Sequence, residues 1–111
     1  MATIQEKQLA QAAGVASAAS IYSPGSGETA VIKNVTIANV TAGVSTYSLH
    51  LDDNGASYTD ATALFKAIPI AAGETHILSV YWPMNNSSGN LAATCAVAND
   101  CTFTVFGLLI T

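Results

Sequence analysis

Two cysteines offer the most reactive side chains in this sequence. Cys95 and Cys101 are six positions apart, a spacing that matches no common zinc or redox motif, and both histidines lie far from them in the chain. Strand alternation places both thiols in the inward phase of their strands. We therefore interpret them as buried free thiols, and a Cys95–Cys101 disulfide is the alternative that the sequence leaves open.

The two histidines could act as a general base or as metal ligands. His50 projects on the polar side of its strand, which favours a surface histidine. His76 shares a face with Leu78, which favours a position at a core edge or an interface. No serine occurs in the G-x-S-x-G context that exposes the nucleophile of α/β hydrolases. We predict no catalytic or cofactor-binding residue, and we expect a protein that is not an enzyme.

A group of aspartates raises the question of a cation site. Asp52-Asp53-Asn54-Gly55, with Asp60 nearby, lacks the alternating ligands and the terminal Glu of an EF-hand loop. Asn-Gly after an alternating strand is a strong hairpin signal in its own right. A turn is the preferred interpretation, and a cation held by Asp52, Asp53 and Asp60 is the alternative. No metal ligand or cofactor is predicted.

Trp82-Pro83-Met84, at a strand end, is the one aromatic platform on which a sugar ring could stack. Aromatic side chains at the end of a strand more often pack against the end of the hydrophobic core and close it. A core plug is therefore preferred over carbohydrate binding.

Composition restricts the class of partner. Only 9% of the 111 residues are charged and 50% are hydrophobic, where about 25% charged residues is ordinary for a soluble domain. The net charge is −4, with three basic residues, Lys7, Lys33 and Lys66. This excludes a nucleic-acid partner and docking on an anionic membrane. No apolar run approaches the ~20 residues of a membrane span, and the N-terminus lacks the pattern of a signal peptide. We expect synthesis in a cytoplasm and a surface partly covered by protein partners.

Turn signals recur about every 8–12 residues from Val15 onwards, as in a sandwich or barrel. They predict one all-β domain over residues 15–111, an antiparallel two-sheet β-sandwich of jelly-roll-like type with seven or eight strands. Residues 1–14 are predicted to form an N-terminal arm or short helix. The predicted strands are 15–22, 30–40, 44–52, 62–70, 74–82, 90–97 and 101–110.

Two strands are apolar on both faces. Ile77 and Tyr81 lie on one side of their strand, opposite Leu78, Val80 and Trp82, and the last strand ends in Leu-Leu-Ile. A strand that is apolar on both sides is either central in its sheet or packed against another subunit. The residues predicted to form contacts with other subunits or with a larger assembly are Ile4, Leu9, Ile77, Tyr81, Trp82, Phe106, Leu108 and Ile110.

The order of three segments resembles a group of small virion proteins of tailed bacteriophages. The segments are LAQAAGVASAASIYSPGSGETAVIKNVTIANV, the turn PIAAGET from Pro69 to Thr75, and a Phe-x-x-Phe-Gly-x-x-Ile ending from Phe103 to Ile110. Each motif is weak alone, and the resemblance extends along nearly the whole chain. The cysteine pair is not a feature of the group.

The resemblance implies a structural virion protein, preferably a capsid decoration (cement) protein. Such a protein bridges and stabilises capsomers through contacts with itself, as a dimer or trimer, and with the major capsid protein or other virion proteins. The alternative is a tail- or fibre-associated adaptor or glycan-binding β-domain. The expected location is the capsid exterior or the tail, with residues 1–14 reaching a neighbouring subunit.

Overall fold

In the part of the chain that the structure describes, eight antiparallel strands form two sheets of four. The computed structural model describes residues 3–111, and no helix occurs among them. Sheet I has the strand order β1-β8-β3-β6, and sheet II has the order β2-β7-β4-β5. The strands are β1 (Ile4–Ala13), β2 (Ala19–Tyr22), β3 (Thr29–Asn39), β4 (Ser45–Asp52), β5 (Ala63–Ile70), β6 (Thr75–Met84), β7 (Asn90–Cys95) and β8 (Cys101–Ile110).

Most connections cross from one sheet to the other. Among the strands of residues 3–111, only β4 and β5 are both consecutive in the chain and neighbours in a sheet. Two four-stranded antiparallel sheets joined in this way have the jelly-roll arrangement. The predicted all-β sandwich is confirmed, and each of the seven predicted strands occurs.

The N-terminal segment differs from the arm or short helix that we expected. Residues 4–13 form β1, which pairs with β8 from Ile4 opposite Ile110 to Ala13 opposite Thr102. The segment is rich in Gln and Ala, which have little intrinsic preference for strands. Its strand conformation therefore depends on hydrogen bonds to β8, a partner about a hundred residues away that local sequence does not indicate.

The core lies between the sheets and is filled by alternate residues of both. Tyr47 from β4 and Phe103 from β8 meet edge to face with ring centroids 6.4 Å apart, a preferred geometry for aromatic pairs. The other core side chains include Ile32, Val35, Ile37, Leu49, Ile70, Met84, Leu91, Cys95, Cys101 and Val105.

A buried asparagine holds two loops at one end of the sandwich. Asn39 is 2% exposed, and its Nδ2 donates to the carbonyl oxygens of Gly43, Ile70 and Ala71 at 2.9, 3.0 and 3.1 Å. Its Oδ1 accepts hydrogen bonds from the backbone N–H and the hydroxyl of Thr41. One side chain therefore joins the β3–β4 loop to the β5–β6 turn.

Three irregularities of sheet I occur at one level along its strands. Leu9 is an extra residue of β1 beside Phe106, and Lys33 is an extra residue of β3 on the other side of Phe106. Opposite Lys33, β6 contributes two residues, Val80 and Tyr81. Bulges bend strands and redirect side chains, and they are common next to functional sites. They produce the concave feature described below.

Candidate assembly surface

One side of sheet I faces away from the core, and we call it the outer face. On β8, Phe103 and Val105 are buried while Phe106 is 39% exposed, so Phe106, Leu108 and Ile110 point outward by alternation. The register places Ile4 of β1 beside Ile110. The outer face is therefore apolar over much of the length of β8.

The edge strand β6 adds its own apolar residues to the outer face. Leu78, Val80 and Trp82 pack against the core, which leaves Ile77 and Tyr81 outward and 67% and 71% exposed. The other large apolar side chains that are well exposed within residues 3–111 lie on loops or, for Leu64, on β5. The outer face is thus the sheet surface on which such residues gather.

Six of the eight residues predicted for contacts lie on the outer face, and two do not. Leu9 and Trp82 are partly buried and pack against the core. The ring of Trp82 lies 6.3 Å from that of Phe65, so it closes the core between the two sheets and is no exposed platform for a sugar. The six on the outer face are Ile4, Ile77, Tyr81, Phe106, Leu108 and Ile110.

A cleft of about 420 Å³ opens on the outer face where the bulges meet. Phe106 forms one wall, and the Lys33 ammonium lies 3.8 Å from the Glu6 carboxylate across β8. Asn34 points its Oδ1 at the Thr36 hydroxyl, from which it accepts a hydrogen bond of 2.8 Å. The residues around the cleft are Glu6, Lys7, Gln8, Lys33, Asn34, Phe106 and Gly107.

Gly107 makes this geometry possible. A Cβ at this position would lie 2.0 Å from the carbonyl oxygen of Val31, a backbone atom that cannot move aside. Only glycine therefore lets β3 approach β8 so closely beside the bulge.

Tyr47, His76 and Glu74 form a chain of hydrogen bonds with the order of a hydrolase triad. Nε2 of His76 lies 3.0 Å from Oε1 of Glu74, and Nδ1 lies 2.8 Å from the Tyr47 hydroxyl. Tyr47 is only 1% exposed, and burial raises its pKa, with smaller contributions from Cys101 and Glu74. A side chain so buried has no access to a substrate, and the arrangement fits a structural link at the edge of the core.

His50 is not the surface histidine that alternation favoured. It projects from sheet II away from the core, yet it is only 7% exposed. The ring of Tyr58, from the β4–β5 segment, lies 6.3 Å away. Nδ1 of His50 has no hydrogen-bond partner among residues 3–111. The covering segment, which alternation cannot reveal, explains the difference.

The two cysteines are free and buried, and they belong to different sheets. Cys95 on β7 is opposite Tyr47, and Cys101 on β8 is opposite Asn39. β7 and β8 are therefore not hairpin partners, although they follow each other directly in the chain. Burial, and then the neighbouring Cys95, raises the pKa of Cys101 to about 11, which disfavours the reactive thiolate.

The aspartates of the β4–β5 turn are engaged separately. Asp52 accepts hydrogen bonds from the backbone N–H groups of Asn54 and Ser57. Asp60 pairs with Lys66, and this partner lowers the pKa of Asp60. Within residues 3–111, no three His, Cys, Asp or Glu side chains converge as metal ligands would. The same residues include no helix with the length and hydropathy of a membrane span.

Comparisons with known proteins find a likeness of fold. No model of a known protein family matches the chain, and no curated protein sequence matches it. A chain of the T13 particle of infectious bursal disease virus is similar in structure, with a TM-score of 0.55 at 8% identity over 98% of this chain and 30% of the viral chain.

Two further structures of the same virus agree. Chains of the Gx and Gt strains match with TM-scores of 0.53 and 0.51 at 10% and 12% identity, again over 98% of this chain. This chain spans about a third of the length of the viral chains, 32% and 31% in these two cases. At such low identity the match shows the fold alone. The tailed-bacteriophage resemblance stays a prediction.

Proposed function

We propose that this chain is a structural protein of a virus particle and that the outer face of sheet I is its main contact surface. The observation that carries the proposal is the jelly-roll fold, shared over 98% of the chain with chains of a virus particle. The concentration of exposed apolar residues on one sheet supports it, since large exposed apolar patches mark interaction sites.

The low charge of the chain fits the same role. Charged residues are depleted at the centres of protein interfaces, and here only 9% of residues are charged. Four strands of about ten residues cover roughly 19 by 33 Å, on the order of 600 Å² in projection. A standard specific interface buries about 800 Å² per partner. The outer face is therefore of a suitable size for one stable contact.

The finer version of the proposal is a capsid decoration (cement) protein of a tailed bacteriophage. The chain would form a dimer or trimer and contact the major capsid protein, and each contact would be repeated by symmetry over the shell. The energy of a single small interface would then be multiplied by the number of copies. This version rests on the sequence resemblance, and the fold is compatible with it.

Substitution of Ile77 by Asp tests the role of the outer face. Ile77 is 67% exposed, so a carboxylate there should leave folding intact and penalise burial of the face in a contact. Sedimentation of the purified protein and its co-sedimentation with shells of the major capsid protein measure the effect. Val44→Asp is the matched control, because Val44 is 73% exposed on the β3–β4 loop, away from this face.

We expect weaker association for Ile77→Asp and unchanged association for Val44→Asp. A wild-type protein that stays monomeric at high concentration and attaches to no shell would reject the proposed function. The number of copies per particle, measured by quantitative mass spectrometry, separates a decoration protein with hundreds of copies from a tail or fibre adaptor with few.

A further inference from the structure

Within the described residues, the outer face carries a strongly exposed, projecting aromatic side chain and a concave feature. The projection is Tyr81, 71% exposed on the edge strand β6. The concave feature is the cleft of about 420 Å³ between β1 and β3, which is open and bounded by Phe106. Both belong to the same sheet, so a single flat contact can involve both.

The projection and the cleft lie at the same level along the strands. Tyr81 is one of the two β6 residues that oppose Lys33, and Lys33 is the bulged residue of β3 beside the cleft. In the strand order β1-β8-β3-β6, the cleft is centred on β8 and Tyr81 is on β6, so β3 runs between them. Neighbouring strands are about 4.8 Å apart, and the two features are therefore roughly equidistant from β3.

This placement is self-complementary under a two-fold rotation. A rotation of 180° about an axis parallel to β3, in the plane of the contact, exchanges the β6 side of one copy with the β8 side of the other. Each Tyr81 would then meet the cleft of the other copy, as an isologous contact requires. The stacked strands would keep nearly aligned directions, which is a common packing of two sheets.

We propose that a second copy of this chain packs on the outer face about this axis, with Tyr81 of each copy inserted into the cleft of the other. The proposal rests on the proposed function and names the partner and the geometry of that same face. Three strands of each copy would be covered, on the order of 500 Å² in projection. Accessible area exceeds projected area, so the contact reaches the lower end of specific interfaces, about 600 Å² per partner.

The chemistry of the cleft suits a tyrosine. Phe106 offers an aromatic wall for an edge-to-face or offset contact. Lys33 offers an ammonium group near the inserted ring, where a cation–π interaction is favourable. The ion pair with Glu6 draws this ammonium towards β1, away from the axis and from the equivalent Lys33 of the second copy.

The charge of the face is also compatible with a second copy. The chain carries a net charge of −4, and two such chains repel each other where their acids concentrate. By strand alternation within residues 3–111, the charged side chains on the outer face are Glu6 and Lys33, which pair with each other. Lys7 also borders the cleft, but it opposes Gly107 in the inward phase of β8. The contact therefore brings no unbalanced like charges together at its centre.

Intermolecular nuclear Overhauser effects test the geometry on the unmodified protein. Copies labelled with carbon-13 are mixed with unlabelled copies, and an isotope-filtered experiment detects only contacts between different copies. We expect signals from the Tyr81 ring of one copy to Phe106 and Gln8 of the other. A dimer whose intermolecular signals lie elsewhere overturns this inference and leaves the proposed function standing.

The dissociation constant of the dimer provides a second test. Tyr81→Ala should raise it at least about tenfold, as expected for an aromatic hot spot, and Val44→Ala should leave it unchanged. Phe106→Ala should raise the dissociation constant as well. The double variant should lose less binding free energy than the two single variants lose in sum, because the two rings contact each other across the interface. Additive losses contradict the contact. A protein that binds shells but never dimerises overturns this inference and not the proposed function.

Discussion

The hydroxyl of Tyr47 and Nδ1 of His76 lie 2.8 Å apart, and this hydrogen bond joins the two sheets of the sandwich. The other ring nitrogen of His76 faces the carboxylate of Glu74, which only accepts, so Nε2 carries the proton and donates. In the neutral ring Nδ1 then accepts the hydrogen bond that Tyr47 donates. Tyr47 therefore joins the two sheets twice, by this hydrogen bond and by the aromatic contact of its ring with Phe103.

Removal of the Tyr47 hydroxyl should weaken the sandwich measurably. Tyr47→Phe leaves Nδ1 of His76 without its donor at a half-buried position, and we expect a loss of about 1–2 kcal/mol in the free energy of unfolding. Urea denaturation measures it. Tyr58→Phe is the matched control, because its hydroxyl makes no hydrogen bond within the described residues. Equal losses in the two variants would contradict the role of the link.

Glu74 should make stability depend on acidic pH. The backbone N–H of Ala71, and then the hydrogen bond from His76, lower the pKa of Glu74 below its usual 4.5. A carboxyl whose pKa is lower in the folded state stabilises the fold above its unfolded-state pKa, and this contribution is lost as the pH falls through the folded-state value. Glu74→Gln keeps an acceptor oxygen without this titration.

We therefore expect the stability of Glu74→Gln to fall less steeply than that of the wild type below about pH 4.5. Urea midpoints at pH 6 and at pH 3.5 measure the difference. Asp60 also has a lowered pKa, because of its hydrogen bond to Lys66, so part of the acid dependence should remain in the variant. Identical acid dependence in the two proteins would refute the assignment to Glu74.

Replacement of the Asn39 amide should destabilise the fold. Asn39→Asp keeps the shape but replaces a donor to three carbonyl oxygens by a carboxylate oxygen. Buried carbonyls without partners and a buried charge are both costly, and we expect a loss of at least about 2 kcal/mol in the free energy of unfolding. Asn85→Asp, the same change at an exposed position, should have little effect. Thermal unfolding of the two variants in parallel decides this prediction.

Gly107 and Gly43 give a matched pair for the bulge. The Cβ of Gly107→Ala would collide with the Val31 carbonyl oxygen, whereas that of Gly43→Ala would meet nothing within 4 Å. We expect Gly107→Ala to lower the free energy of unfolding by about 2 kcal/mol or more, as overpacking against backbone does. Gly43→Ala should be close to neutral. If both variants unfold like the wild type, β3 and β8 are not as close as described.

The thiols should be unreactive in the folded protein. Cys95 and Cys101 are 4% and 0% exposed, and the pKa of Cys101 is raised to about 11. At pH 8 a thiol reagent should therefore react with neither cysteine until urea unfolds the chain. The exposed control Ser26→Cys should react at once. Rapid labelling of the native wild type would contradict the burial of the pair.

A thiol whose pKa is raised by folding makes stability depend on pH in the opposite direction from a carboxyl whose pKa is lowered. The protonated Cys101 thiol is compatible with the core, so its contribution to stability is complete below its usual value of 9.0 and is lost as the pH rises towards about 11. Alkaline destabilisation in this range should therefore accompany the appearance of thiol reactivity.

Much of the strand pattern could be predicted because it is local. Period-two alternation and Gly, Asn or Asp turns marked seven strands, and the inward phase of Tyr47, Leu49, Cys95 and Phe103 agrees with their burial. The double-sided character of β6 and β8 also pointed to the outer face. Five of the eight contact candidates lie on it for this reason, and the sixth, Ile4, is placed there by the pairing of β1 with β8.

Local sequence patterns do not predict which distant strands pair with each other. The assignment of β7 and β8 to different sheets separates Cys95 from Cys101 in the ladders, and the pairing with β8 converts residues 4–13 into an edge strand. His50 is buried because the β4–β5 segment, with Tyr58, packs on the side of sheet II that faces away from the core. Each depends on hydrogen bonds or contacts between segments far apart in the chain.

The sequence by itself determined which residues alternate, where the chain turns and how little charge the surface carries, since these follow from side-chain type and from spacing along one strand. The tertiary structure alone decided that bulges in β1, β3 and β6 coincide around Phe106. Coincidence across strands is a matter of register, and register is set by the packing of the whole sandwich.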